Sequence, residues 1–191
     1  MGIIRKDFRY KLIKNFLTKE ELKIGTHYYH LMHKRNETHF DFMQNKNHDS
    51  SFEWYHDVFT DVLLIKKKNL VEKETGLKLF PTYAFTRFYT YNSDLEKHKD
   101  RPSCEISVSA MWDSDGTEWP LYIEGKAIEM NRGDAVIYLG CEDEHWRENF
   151  TGDYHLQTFF HYVDQNGPNK DYKYDKIKHP QRGFSKYNPE I

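Results

Sequence analysis

Cysteine is scarce in this sequence, which has only Cys104 and Cys141 among its 191 residues. Two cysteines are too few for a disulfide scaffold, and this favours a cytosolic protein with reduced thiols. The N-terminal segment MGIIRKDFRYKLIKNF lacks the long apolar core of a signal peptide, and no apolar run approaches membrane-spanning length. We therefore expect a cytoplasmic protein that has no membrane partner.

The sequence also lacks an excess of charge of one sign, internal repeats and flexible linkers. Its formal net charge is -2, which gives no support for a nonspecific nucleic-acid binder. Aromatic residues make up 16% of the chain although 30% of it is charged, and this aromatic content is typical of a folded protein. The length suits one domain with a substantial core. We predict a single domain over residues 1–191 and expect no nucleic-acid partner.

The pattern changes near residue 80, and the part before it favours helices. The segment TKEE at residues 18–21 has the form of a capping box, in which Thr18 accepts from the first helical turn and Glu21 reaches back. The segment SSFE at residues 50–53 has the same form and predicts a second, longer helix that ends at about Gly76. We interpret residues 1–80 as a helical support region.

The part after residue 80 favours β-strands. Strand-like patterns occur in TYAFTRFYTY, EISVSAMW, AVIYLG and HLQTFFHYV, and PLYIEGKAIEM predicts two short strands around Glu124-Gly125. Several short strands without helices between them predict an antiparallel sandwich or barrel. We expect a mainly β, α+β fold with its β core at residues 81–164 and a polar tail at residues 165–191.

Eleven histidines prompt a search for metal ligands, and two His-x-Asp pairs are candidates. His39 and Asp41 lie at the end of the first predicted helix, where side chains two residues apart diverge. His98 and Asp100 follow an aromatic strand, and side chains two residues apart at a strand end point the same way. We favour the second pair because both of its side chains can share one ion.

A third ligand for this pair has to come from a later strand. His145 is well placed because it follows the strand AVIYLG after the short acidic loop CEDE. His155 and His161, both on the last predicted strand, are the alternatives. Two histidines and one carboxylate leave open positions on Fe(II), and oxygen chemistry needs such positions.

These features follow one another in a definite order. They are a strand ending in Tyr89, the pair His98-Lys99-Asp100, the strand CEISVSAMWD, the turn and strand NRGDAVIY, His145 and the strand HLQTFFHYVD. In this order they resemble the Fe(II)/2-oxoglutarate-dependent oxygenases, in particular the prolyl 4-hydroxylase-like branch, over residues 82–164. The resemblance implies a double-stranded β-helix, or jelly-roll, with N-terminal supporting helices. It also implies that His98, Asp100 and His145 bind Fe(II), and that 2-oxoglutarate and O2 are co-substrates.

The sequence departs from this family at the residue that binds the C5 carboxylate of 2-oxoglutarate. Family members place an Arg or Lys on the closing strand, where counting ten residues on from the distal histidine reaches His155. A protonated His155 would serve, and Gln157 shares its strand face. Arg87 is a second basic candidate, because it shares a strand face with Tyr89 and a guanidinium pairs well with a carboxylate. We predict a co-substrate pocket of Tyr89, Arg87, His155 and Gln157.

Two further residues are candidates to contact the substrate. Arg147 could reach either the keto acid or the substrate, and Trp112 could shape the mouth of the site. We favour hydroxylation of a peptidyl prolyl or another side chain, with decarboxylation of 2-oxoglutarate to succinate and CO2. The alternatives are an oxygenase that acts on a small molecule or nucleobase, and a cupin-like metal-binding protein without oxygenase turnover.

Overall fold

The computed structural model describes residues 9–35 and 51–175 of the chain. These ranges contain two α-helices and ten β-strands, which we number in chain order. The helices are α1 (Lys19–Lys34) and α2 (Val58–Thr75), and the strands are β1 (Tyr10–Ile13), β2 (Ser51–Tyr55), β3 (Leu79–Thr90), β4 (Leu95–His98), β5 (Ile106–Ser114), β6 (Leu121–Ile123), β7 (Lys126–Ile128), β8 (Ala135–Tyr138), β9 (His145–Arg147) and β10 (Tyr154–Asp164). Neither helix combines the length and apolar composition that crossing a membrane requires.

The strands form two antiparallel sheets. The six-stranded major sheet has the order β1-β8-β5-β10-β3-β2, and the four-stranded minor sheet has the order β4-β9-β6-β7. Two such sheets supported by two N-terminal helices form the jelly-roll predicted from the sequence, and this prediction is confirmed. Every segment predicted as a strand after residue 80 is one, but the short strands β1, β2, β4 and β9 were not predicted.

Helix α1 begins at the predicted capping box. The Thr18 hydroxyl accepts from the Glu21 backbone N–H at 3.2 Å, and the Thr18 backbone N–H donates to the Glu21 carboxylate at 2.8 Å. Helix α2 ends as predicted, because Gly76 caps it in the left-handed conformation with φ of 74°. The start of α1 and the end of α2 are therefore determined by local sequence.

The predicted start of the second helix at residues 50–53 is wrong. Ser51–Tyr55 is the edge strand β2, which pairs with β3, and α2 begins only at Val58 with Asp57 as its N-cap. Side chains of β2 alternate between the two faces of the sheet, and this alternation explains why the segment is a strand and not the start of a helix. Trp54 is fully buried beneath the helices, while Glu53 on the opposite face lies beside Arg87. Burial of Trp54 and pairing with β3 favour the strand over a local cap.

The same alternation gives the major sheet two different faces. Its outer face packs against α1 and α2 in the main hydrophobic core, through Ala84, Phe88, Val108, Ala110, Leu156 and Phe160. Its inner face carries polar side chains that are also buried, among them Ser107, Ser109 and Gln157. A buried polar surface between two sheets needs hydrogen-bond partners and is a natural place for a binding site.

Candidate metal centre and the adjoining cavity

Two neighbouring strands of the minor sheet bring the predicted metal ligands together. His98 is the last residue of β4 and pairs in register with His145, the first residue of β9. Asp100 follows β4 by two residues, and its backbone N–H donates to the Gly140 carbonyl at 2.8 Å. The chain that leads into β9 therefore holds the loop that carries Asp100.

The side chains of these residues form a compact group of possible metal ligands. Asp100 Oδ1 lies 3.5 Å from His98 Nε2 and 3.7 Å from His145 Nε2. One ligand atom from each residue lies within 4.8 Å of the others. We use the name cavity for the region between the two sheets that these side chains and the inner face of the major sheet border, and we call His98, Asp100 and His145 its metal end.

Backbone carbonyl groups determine the tautomer of both histidines. His98 Nδ1 lies 2.6 Å from the Glu96 carbonyl oxygen, and His145 Nδ1 lies 2.9 Å from the Asp143 carbonyl oxygen. A carbonyl oxygen only accepts hydrogen bonds, so each Nδ1 carries the proton and donates it. In its neutral form each ring therefore has its lone pair on Nε2, the nitrogen that faces Asp100, where it could bind a metal as metal-binding histidines do.

The charge of Asp100 suits the same purpose. Burial alone would raise the pKa of Asp100, but hydrogen bonds from His145 and His98 hold this pKa well below its ordinary value. The hydrogen bond to Asp100 also raises the pKa of His98. An ionised carboxylate beside two imidazole nitrogens is the donor set of the facial triad that binds Fe(II), so these residues fit that ion.

The other histidine candidates lie elsewhere. His39 and Asp41 fall outside the described residues. His161 belongs to a second group with Asp100 and Cys104, whose ligand atoms also lie within 4.8 Å of one another. Burial raises the pKa of the Cys104 thiol to about 12, so the thiol is protonated in the metal-free protein.

A second polar cluster lies further along β9 and crosses to the major sheet. Arg147 follows His145 by two residues on the same strand face, at about 7 Å along the strand. Its side chain is buried, with 2% exposed, and the guanidinium lies over the Trp119 ring at 4.5 Å. Arg147 donates to the Trp119 carbonyl oxygen and, at 3.4 Å, to Gln157 Oε1 on β10. We call Arg147, Trp119, Gln157, Tyr89 and His155 the basic end of the cavity.

The positive charge of Arg147 has no counterion within residues 9–35 and 51–175. No carboxylate of these residues lies within ion-pair distance of it. Burial lowers the pKa of Arg147 to about 10, so the side chain remains cationic at neutral pH. A buried cation without a carboxylate partner is costly, and an anionic ligand would compensate for it.

Three buried polar atoms at this end also lack hydrogen-bond partners among the described residues. They are the Tyr89 hydroxyl, Arg147 Nε and His155 Nδ1. Such atoms are rare in native proteins unless a ligand or water completes them. The hydroxyl and the Nε–H are both donors, which again favours an anion here.

The surroundings of His155 disfavour the protonated form that was predicted to bind the carboxylate. Burial, together with the positive charge of Arg147, lowers the pKa of His155 to about 3. His155 Nε2 lies 2.8 Å from Gln157 Oε1, and Gln157 Nε2 donates to Ser109 Oγ at 2.7 Å. His155 is therefore a neutral part of the cavity wall, and Arg147 supplies the charge.

Arg87 lies on the inner face as predicted, but its charge is already compensated. Its Nε lies 2.9 Å from the Glu53 carboxylate, and its Nη2 donates to Ser51 Oγ at 2.9 Å. The guanidinium also lies over the Tyr89 ring at 4.6 Å. Arg87 thus supports Tyr89 from the side of β2, whereas Arg147 approaches the cavity from the minor sheet.

The prediction that Trp112 shapes the mouth of the site is wrong. Trp112 is fully buried in the main core on the outer face of β5, and its Nε1–H donates to Thr158 Oγ1 at 2.7 Å. The Trp112 ring also packs closely against Gly25 of α1: a Cβ added to Gly25 would lie 2.1 Å from the nearest atom of the ring. Successive side chains on a strand alternate faces, so Trp112 shares the face of Val108 and not that of Ser109.

Ser107 and Ser109 were not among the predicted site residues, although the pattern of residues 106–112 indicates their position. Ser107 and Ser109 alternate with apolar residues and therefore had to lie on the inner, polar face. Both are fully buried there. Gly140 gave no such signal, because its contacts with Asp100 depend on the tertiary fold.

Neither a protein-family model nor a curated protein matches this sequence. Solved structures match the fold. A non-heme alpha-ketoglutarate-dependent epimerase of nogalamycin biosynthesis has a TM-score of 0.66 and 10% identity, covering 81% of this chain and 76% of that one. An oxidoreductase of the 2OG-Fe(II) oxygenase family from Burkholderia pseudomallei has a TM-score of 0.62 and 12% identity, covering 86% and 88%. A viral collagen prolyl hydroxylase from Paramecium bursaria Chlorella virus-1 has a TM-score of 0.59 and 11% identity, covering 80% and 94%.

These comparisons confirm the structural resemblance to 2OG-Fe(II) oxygenases, prolyl hydroxylases included, at low sequence identity. The shared feature is the double-stranded β-helix. The matched proteins include an epimerase as well as hydroxylases, so the fold alone does not specify a substrate or a reaction.

Proposed function

We propose that this protein is an Fe(II)- and 2-oxoglutarate-dependent oxygenase. The observation that carries the proposal is a buried cation without a carboxylate partner, placed two residues along β9 from a His-Asp-His group. The keto acid has one end that chelates a metal and another that is an anionic carboxylate. These two ends match the metal end and the basic end of one cavity.

Each group of residues has a distinct part in this proposal. His98, Asp100 and His145 would hold the ion through two imidazole nitrogens and one carboxylate oxygen. Bound there, Fe(II) supplies the activation of O2 that couples decarboxylation of 2-oxoglutarate, to succinate and CO2, with hydroxylation of a substrate. The protein itself orients the keto acid and keeps water away from it.

Orientation of the keto acid falls to the basic end. Arg147 would pair with the C5 carboxylate, and the Tyr89 hydroxyl would donate a second hydrogen bond to it. Gln157 and the neutral His155 would form the wall beside this carboxylate, while Trp119 closes the cavity around the guanidinium. Arg87 would act on the co-substrate through Tyr89, because Glu53 already compensates its charge.

For the substrate we propose a peptidyl prolyl or another protein side chain, in the cytoplasm. Two observations support it: the order of sequence motifs shared with the prolyl 4-hydroxylase-like branch, and the structural likeness to a viral collagen prolyl hydroxylase and a Pseudomonas putida prolyl-4-hydroxylase. A small-molecule substrate is the competing proposal, and the likeness to the nogalamycin epimerase supports it. Incubation with proline-containing peptides, followed by mass spectrometry, should show an added oxygen atom if the first proposal holds.

Spectroscopy of the iron complex tests the oxygenase proposal directly. Anaerobic protein with Fe(II) and 2-oxoglutarate should show the weak visible charge-transfer band of the chelate, and admission of O2 should give succinate. Asp100→Ala should lose both, because it removes the anionic ligand. His39→Ala and Asp41→Ala should keep both and serve as controls for the pair that was not chosen.

The outcomes separate the candidate functions. No band and no succinate with the wild-type protein would overturn the proposal. Metal binding by the wild type without succinate formation would favour the cupin-like protein without oxygenase turnover. Loss of the band in the Asp41→Ala variant would mean that the ligand pair was wrongly assigned.

A further inference from the structure

The two carboxylate oxygens of Asp100 have different surroundings. Oδ1 faces His98 and His145 at 3.5 and 3.7 Å. Oδ2 points the other way, into the sheet, where the Ser107 hydroxyl donates to it at 2.9 Å. Only Oδ1 is therefore directed at the place where a metal would lie.

The Ser107 hydroxyl is itself held by a buried histidine. Ser107 Oγ lies 3.0 Å from His161 Nδ1 on β10, and both side chains are buried. The His161 ring packs against Tyr83 at 4.7 Å between centroids, which restricts its rotation. When His161 Nδ1 donates to Ser107, the serine proton is left for one of two acceptors, Asp100 Oδ2 at 2.9 Å or the Cys104 carbonyl oxygen at 3.1 Å. With the proton on the shorter contact, the three side chains form a continuous chain of hydrogen bonds.

The backbone closes the space around the same oxygen. A Cβ added to Gly140 would lie 2.5 Å from Asp100 Oδ2, 2.5 Å from Ser107 Oγ and 2.3 Å from the Cys104 carbonyl oxygen. Glycine at position 140 therefore leaves the room that Asp100 Oδ2 occupies beside Ser107. The position of this oxygen depends on residues that do not contact the metal position.

We propose that Ser107, backed by His161, is a positioning residue that aims Asp100 Oδ1 at the metal. This inference rests on the proposed function, because it takes Asp100 as a metal ligand. Carboxylate ligands are generally hydrogen-bonded from behind, and loss of such a partner weakens metal binding or activity by about 10–100-fold. The chain offers no other hydroxyl to Asp100 within its described residues.

Ser109 supplies a matched control for Ser107. Both serines lie on the inner face of β5, both are fully buried, and each makes a hydrogen bond to a side chain in the cavity. Ser107 contacts the metal end through Asp100, whereas Ser109 accepts from Gln157 at the basic end. Substitution of either by Ala removes the same atom from the same strand, although among the described residues Ser107 Oγ has three hydrogen-bond partners and Ser109 Oγ has one.

The test measures Co(II) binding to the apo-protein by visible absorption, 2-oxoglutarate binding to the Co(II)-loaded protein, and thermal unfolding of the apo-protein. Ser107→Ala should weaken Co(II) binding about 10–100-fold, while Ser109→Ala should leave Co(II) binding unchanged and weaken 2-oxoglutarate binding. His161→Phe keeps the ring volume and should weaken Co(II) binding less than Ser107→Ala does. Both serine variants should lower the unfolding temperature, Ser107→Ala by more because Ser107 Oγ has more hydrogen-bond partners.

Equal Co(II) affinity of Ser107→Ala and Ser109→Ala would overturn the positioning role and leave the oxygenase proposal intact. Failure of the wild-type protein to bind Co(II) would instead overturn the metal assignment on which both proposals depend. If Ser107→Ala does not fold, His161→Phe decides the question. Wild-type Co(II) affinity in that variant would overturn the role of the hydrogen bonds that link His161, Ser107 and Asp100.

Discussion

At the metal end of the cavity, the anionic carboxylate of Asp100 lies between two imidazole rings, whereas at the basic end the guanidinium of Arg147 lies against a carbonyl and an amide oxygen. The first charge is balanced within the protein, since hydrogen bonds from both histidines stabilise the carboxylate. The second charge has no carboxylate partner among the described residues. The protein is thus prepared for a cation at one end and for an anion at the other.

Exposure differs between the two ends as well. The His98 side chain is 37% exposed and that of Asp100 16%, while Arg147 is 2% exposed and Gln157 is fully buried. A ligand that joins the two ends has its chelating group toward solvent and its carboxylate in the interior. The substrate would then meet the metal from the open side, with the co-substrate already enclosed behind it.

Removal of the buried cation should give the largest difference between the two ends. Arg147→Met should weaken 2-oxoglutarate binding by about 30- to 5,000-fold, because truncation of a buried charge partner costs roughly 2–5 kcal/mol. The same variant should leave the thermal stability of the apo-protein unchanged or raised, since an apolar residue replaces an uncompensated charge. Calorimetric titration with the keto acid and thermal unfolding check the two effects.

Arg87→Met provides the control for Arg147→Met. It should lower stability, because it removes the ion pair between Arg87 and Glu53, and it should weaken keto-acid binding less. If Arg87→Met proved the more damaging to 2-oxoglutarate binding, the assignment of the C5 carboxylate to Arg147 would be wrong.

A steric change at the metal end should affect binding of the metal ion, which is the ligand of that end. Gly140→Ala places a methyl group 2.3 Å from the Cys104 carbonyl oxygen and 2.5 Å from Asp100 Oδ2. We expect a loss of about 1–3 kcal/mol in the free energy of unfolding, together with weaker Co(II) binding because Asp100 is displaced. Gly25→Ala, which meets the Trp112 ring on the outer face, should lower stability but leave Co(II) binding unchanged. Similar Co(II) affinities for the two variants would argue against a specific role of Gly140 at Asp100.

The neutral histidine at the basic end should make the folded protein sensitive to acid. The pKa of His155 is about 3 in the folded protein and 6.5 as its ordinary value. Below pH 6.5 the unfolded chain therefore gains a proton that the folded protein does not. The free energy of unfolding decreases as the pH is lowered. Between pH 7 and pH 5 this contribution amounts to about 2 kcal/mol.

Urea unfolding at the two pH values measures this contribution. His155→Phe should lose less stability than the wild type over the same interval, by about the same 2 kcal/mol. Equal losses in the two proteins would mean that His155 is protonated in the folded state, and the prediction of a neutral cavity wall would then be rejected.

The smallest effect is expected at the rim of the metal end. Lys97 forms an exposed ion pair with Glu144 at 2.9 Å and lies over the Trp146 ring at 4.4 Å. Lys97→Ala should change the free energy of unfolding by no more than about 1 kcal/mol and should leave Co(II) and 2-oxoglutarate binding as they are. A marked change in either affinity would extend the functional site to this rim.

Local sequence predicted that the side chains of His98 and Asp100 lie together, for a physical reason. His98 and Asp100 are two residues apart beside a strand, so their side chains point the same way whatever the rest of the fold. The strands that follow were equally predictable, because alternation of polar and apolar residues is a local property. The Ser-x-x-Glu pattern at residues 50–53 misled because it fits an edge strand as well as a capping box, and only the pairing of β2 with β3 separates the two.

Local sequence was enough to place the helix ends at Thr18 and Gly76, the strands of the β core and the ligand pair His98 and Asp100. The choice of the basic residue at the inner end of the cavity depends instead on the tertiary fold. Arg87 and Arg147 look alike in the sequence, but β2 brings Glu53 to Arg87, while the minor sheet buries Arg147 against Trp119 and Gln157. The pKa of a buried group depends on neighbours distant in the sequence, so no local pattern could show that His155 is neutral.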